Sequence, residues 1–168
     1  MNNQKNHRRQ FLKDSVKASG LMIMSPLIHK VAFATSAEKQ KEIITAPNRI
    51  KFAVINIDHP HIYGMTDAIK RGGGELVALY AKQPDLTAGF LKTFPEAKLA
   101  KNESEILEYP AIQLVLSSGI PDERAPLGIR VMQHGKDYLT DKPGIITLEQ
   151  FAEVKKVQKE TKRIYSIM

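Results

Sequence analysis

Gly135-Lys136-Asp137-Tyr138-Leu139-Thr140-Asp141-Lys142-Pro143 reads as a helix end, a short strand and a charged exit. Pro143 has no N–H to give to a sheet ladder, so the strand has to stop by Lys142. That puts an amine at the carboxyl end of a strand. In open α/β sheets ligands bind beyond those ends.

Working outward, strands and helices alternate. Upstream, Ile50–Ile57 reads as a buried strand, Asp58–His61 as its turn and Ile62–Arg71 as a helix stopped by three glycines. Glu75–Tyr80 is a second strand. Pro84–Phe94 is a helix with Leu86, Phe90 and Phe94 four apart on one face. Lys98–Ala100 reads as an edge strand and Glu103–Glu108 as a short helix capped by Asn102. Ile112–Ser117 is another buried strand with an exit loop over Ser118–Asp122. Ala125–His134 is a helix with Leu127 and Val131 inward. Downstream, Thr147 and Gln150 form a capping box. The helix behind it is predicted to bury Leu148, Phe151, Val154 and Val157, with a strand at Ile164–Ile167. The alternation predicts a doubly wound parallel sheet, Rossmann-like, covered on both faces.

The formal charge of +7 is unevenly spread. Residues 1–34 hold six Lys or Arg and one Asp, whereas residues 35–168 hold nineteen basic and seventeen acidic side chains. The excess belongs to a leader, so no nucleic-acid partner is expected of the folded part. The chain has no cysteine, which excludes disulfides and thiolate metal sites. Arg8-Arg9 followed by Phe11-Leu12-Lys13 resembles a twin-arginine export signal. An uncharged stretch follows from Ala18 to His29, and Ala32-Phe33-Ala34 has the small-residue spacing of a cleavage site. The organisation expected is a signal over 1–34, a linker over 35–48 and one domain over 49–168, located in the periplasm with the export machinery as a partner.

Four stretches could carry chemistry. In the first turn, the positions that hold glycines in a dinucleotide fingerprint are Asn56, Asp58 and His61, around Ile57 and His59. Asn and Asp tolerate left-handed conformations better than other residues, but as a generic fingerprint the stretch fails. An Asp58 carboxylate would repel a pyrophosphate. His59 and His61 could suggest a metal. Their spacing is short, Pro60 separates them, and no acid or histidine elsewhere in the sequence clearly completes a shell, so no metal site is expected. At the end of strand two, Ala81-Lys82-Gln83 lacks the acid that would hold ribose hydroxyls. Lys82 would suit a 2′-phosphate. Ser117, Gly119, Pro121 and Asp122 follow the strand where a nicotinamide ring would sit. Lys142 could polarise a hydroxyl or carry its proton.

Together these residues resemble the glucose–fructose oxidoreductase and inositol dehydrogenase family (Gfo/Idh/MocA) from about Arg49 to Ile167. Asp141-Lys142-Pro143 stands where that family has Glu-Lys-Pro. Pro121-Asp122 is similar to its Pro-Asn. Asp58-His59-Pro60-His61-Ile62-Tyr63-Gly64 is similar to a histidine-containing first turn of some members. The resemblance implies NAD or NADP as cofactor, flanked by Asp141, Pro143 and Pro121-Asp122. It also implies a small carbohydrate or polyol substrate and Lys142 as the residue between nicotinamide and substrate. The family continues into a second α/β domain that this sequence lacks. The expectation is therefore a fragment or truncated chain, inactive alone, binding nucleotide weakly with no strong preference against NADP and prone to homo-oligomerise. The competing expectation is a non-catalytic periplasmic binding or interaction domain that has lost the cofactor.

Overall fold

The computed structural model describes residues 49–168; the expected signal and linker lie outside the described residues. The elements are β1 (Lys51–Ile55), α1 (His61–Arg71), β2 (Glu75–Tyr80), α2 (Pro84–Thr93), β3 (Lys98–Leu99), α3 (Glu103–Leu107), β4 (Leu114–Ser117), α4 (Pro121–Gln133), β5 (Asp137–Thr140), α5 (Leu148–Thr161) and β6 (Tyr165–Ile167). All six strands are parallel, in the order β3-β2-β1-β4-β5-β6. The order reverses between β1 and β4, and this is the switch point at which a doubly wound sheet opens a crevice.

Strand alternation divides the core. Phe52 and Val54 point to one face, with Ile62 and Met65 of α1 and Phe90 of α2. Ala53 and Ile55 point to the other, with Ile106, Leu127 and Val131. Each buried Val, Leu, Ile, Phe or Met among these contributes about 1.5–3 kcal/mol. Helix α5 buries Val154 and Val157 against Ala125 and Met132 of α4. On the opposite face, Leu139 of β5 is half-buried and packs against the cluster that holds Ile62 and Met65 of α1.

Local details correct several boundaries. Strand β1 ends at Ile55 because Asn56 turns into the left-handed region at φ 63°. Helix α4 begins four residues before its expected start. Pro121 occupies its first turn, where a missing N–H costs nothing, and Asp122 and Glu123 complement the helix dipole. Pro126, inside α4, cannot donate to the Asp122 carbonyl, and that oxygen instead accepts from Gln150 Nε2 at 3.2 Å. Thr147 caps α5 as expected, but Gln150 reaches back to the Ile146 N–H rather than to that of Thr147. Leu86, expected inside, is exposed; Phe90 and Phe94 are buried and Tyr63 packs on both. Leu148 and Phe151 are 81% and 48% exposed, because α5 turns only its Val154–Val157 side toward α4.

Candidate functional site

The candidate site is built where the exits of β1 and β4 touch. The Ser118 N–H donates to the Asn56 carbonyl at 3.0 Å, and the His59 N–H to the Ser118 carbonyl at 3.1 Å. A Cβ on Gly119 would meet Asn56 Cβ at 3.0 Å, so glycine lets the two exits close on each other. Ser117 and Ser118 are buried. Ser117 Oγ accepts the Gly119 N–H, and Ser118 Oγ donates to the His59 carbonyl. Asn56 takes the left-handed conformation at φ 63°. Asp58 and His61 do not take up positive φ. Ile57 is buried in the core beneath the turn.

Asp58 crosses to the exit of β2. Its Oδ1 accepts from Gln83 Nε2 at 2.6 Å, which tethers a carboxylate there. Lys82 is exposed in the same loop, and the linear sequence does not display this placement of the acid.

The third cluster gathers on Asp141, which is buried at the exit of β5. Its Oδ1 meets His61 Nδ1 at 2.9 Å and accepts the Lys142 N–H at 2.8 Å. Its Oδ2 meets His59 Nδ1 at 3.2 Å and Arg124 Nη2 at 3.4 Å. Burial alone would raise the Asp141 carboxyl pKa. The His61 hydrogen bond, the Lys142 N–H and the Arg124 charge together outweigh it and hold the pKa below the usual range. This corrects the expectation that no acid completes the histidine pair: strand order brings Asp141 to it across 80 positions of sequence.

Arg124, a residue the sequence reading passed over, organises the exit. It is buried, and its Nε donates to the Gly119 carbonyl at 2.6 Å. Its Nη1 donates to the carbonyls of Asp141, Lys142 and Pro143. One guanidinium thus fixes the β4 and β5 exits together, as its rigid fork of donors allows. A signal existed: Arg124 lies on the inward stripe of α4 with Leu127 and Val131. Lys142 stands exposed just past this clamp, preceding a cis bond to Pro143. Pro121 and Asp122, expected in a loop, open α4 on the surface.

No family model matches the chain, and no curated protein matches it. Solved structures do. A protein from Erwinia carotovora atroseptica SCRI1043 assigned as an oxidoreductase is 34% identical with a TM-score of 0.69, over 71% of this chain and 36% of its own. The WlbA dehydrogenase from Bordetella pertussis, solved with NADH and UDP-GlcNAcA, is 17% identical with a TM-score of 0.65, over 73% of this chain and 35% of its own. Biliverdin reductase from Synechocystis, solved with biliverdin and NADP+, is 18% identical with a TM-score of 0.62, over 70% and 37%. The neighbours are oxidoreductases, several of them nicotinamide-dinucleotide binders. The two at under 20% identity establish the shared fold. The chain spans about a third of the length of the structures it matches.

Proposed function

We propose that residues 49–168 are the dinucleotide-binding domain of an exported NAD(P)-dependent oxidoreductase of the Gfo/Idh/MocA kind, acting in its complete form on a small carbohydrate or polyol. The observation that carries this is the β1–β4 switch point of a six-stranded parallel sheet, where left-handed Asn56 packs on Gly119 and Lys142 lies beyond β5. The 34% identity to an assigned oxidoreductase supports it.

The residues present fit a dinucleotide along the exits of β1, β2 and β4. Left-handed Asn56 shapes the first turn for close backbone approach, Asp58 would offer a carboxylate to ribose hydroxyls, and the exit from Ser117 to Asp122 would flank the nicotinamide. When bound, the dinucleotide supplies the hydride acceptor or donor. The chain's own part is positional and protic. Arg124 fixes the β5 exit, so Lys142 Nζ projects from a rigid base. At the reacting hydroxyl that amine holds the oxygen and takes or returns its proton. His59 and His61 stand in the first turn, where a fingerprint would have small residues, and so weaken the grip on a pyrophosphate.

Calorimetry of the full chain with NAD and NADP tests the reading. Saturable 1:1 binding of either, kept in Lys142→Ala and weakened in Gly119→Val, is expected. Absence of heat with both would instead favour a second reading, suggested by the histidine-filled turn: a binding domain that has lost the cofactor. Export belongs to the same proposal, and replacing Arg8 and Arg9 with lysine should hold the protein in the cytoplasmic fraction.

A further inference from the structure

We propose that His59, His61 and Asp141 bind a divalent transition-metal ion of the zinc class where the exits of β1 and β5 meet. The site goes beyond the dinucleotide reading and does not depend on it. Three side chains place ligand atoms within 4.8 Å of one another. Two donors bound to one ion at about 2.1 Å and near-tetrahedral or right angles stand roughly 3.0–3.4 Å apart. The separations from Asp141 oxygens to His61 Nδ1 and His59 Nδ1 are 2.9 and 3.2 Å.

The carboxylate offers one oxygen to each imidazole: Asp141 Oδ1 faces His61 Nδ1 and Oδ2 faces His59 Nδ1. Pro60 sets the arrangement: its helical backbone, φ −67° and ψ −11°, folds the two imidazoles edge to face at 4.3 Å between ring centroids.

The donor set selects the ion. Two imidazoles and one carboxylate, with no cysteine in the chain, suit Zn²⁺, Fe²⁺ or Co²⁺ rather than Mg²⁺ or Ca²⁺. The carboxylate is oriented as metal ligands are, by the Lys142 N–H and the Arg124 guanidinium. Arg124 opposes a cation nearby, but its donors are also spent on four backbone carbonyls. With three protein donors, open positions remain for an oxygen ligand. They adjoin a cleft of about 490 Å³ lined by Pro60, His61, Gly64, Met65 and Lys142. Both histidines are about half exposed, so an ion can enter from solvent.

The test is calorimetric titration of zinc chloride into the untagged full chain, stripped with chelator and free of nucleotide. One ion per chain is expected. His59→Ala and His61→Ala should each weaken binding at least tenfold, while His134→Ala, on the surface of α4's end, should not. Circular dichroism checks that each variant is folded; both histidines are exposed enough for removal to leave the core intact. Cobalt should give the visible absorption of a low-coordinate site, lost in His61→Ala. Wild-type affinity in the folded His59→Ala and His61→Ala variants, or no saturable binding by the folded chain at millimolar zinc, would overturn the assignment. Because no nucleotide is added, either result leaves the dinucleotide reading to its own titration.

Discussion

At the scale of single residues, the site depends on charges that find partners across the sheet. Arg124 holds four carbonyl oxygens and one carboxylate in the interior. Replacing it with Met leaves those acceptors unpaired, and the expected loss is about 3–5 kcal/mol in urea denaturation. Arg124→Lys should recover little of this, because a single ammonium cannot fill the fork. Asp58 bears on cofactor choice. With its carboxylate tethered at the end of β2 by Gln83, the chain should prefer NAD to NADP, contrary to what Ala81-Lys82-Gln83 suggests alone. Asp58→Ala should bring the two affinities together or reverse them beside the exposed Lys82, as calorimetry with both cofactors would report.

At the scale of elements, caps and faces have separable energies. Thr147 Oγ1 accepts the Gln150 N–H at the start of α5, so Thr147→Ala should cost about 1 kcal/mol by thermal or urea unfolding. Helix α5 also separates pattern from placement. Leu148, Phe151, Val154 and Val157 share a spacing that predicts one buried stripe, yet only the two valines are covered. Val157→Ala should therefore destabilise by about 1–3 kcal/mol, whereas Leu148→Gln should stay within about 0.5 kcal/mol. Equal losses from the two would mean that the outer side of α5 is covered as well.

At the scale of the whole molecule, burial sets both pH tolerance and association. The Tyr138 hydroxyl is buried, and burial pushes its pKa up to about 12; the Thr140 and Ser117 hydroxyls lower it in part without forming an aligned bond. Tyr165 beside it is also raised, first by burial and then by Tyr138. An acid whose folded pKa is raised keeps its proton while the unfolded chain loses it, so stability is intact below about pH 10 and falls through pH 12. Tyr138→Phe should flatten part of that alkaline decline in denaturation midpoints measured between pH 9 and 12. The second feature is the edge that β6 forms among the described residues. Strand β6 ends the sheet order, with Ile164, Ile167 and Met168 about half exposed. An apolar edge is a template for another chain, so light scattering should show self-association that Ile167→Lys reduces.

The parallel α/β architecture was legible in the sequence because it rests on local chemistry: β-branched runs between glycines and prolines, an N-capping Asn102, the Thr147 cap, and Pro143 closing β5. Asn56 and Asp58 were both legible as tolerant of the left-handed conformation, since that preference belongs to the residue itself, and only the structure shows that Asn56 takes it. The site's working contacts were not legible. Asp141 reaches His59 and His61, Asp58 reaches Gln83, and Arg124 reaches three successive carbonyls only because the sheet order lays the exits of β1, β2, β4 and β5 along one edge. The exposure of Leu148 and Phe151 is of the same kind. Periodicity defines a face, but burial needs a second surface, and where that surface lies is a property of the assembled sheet.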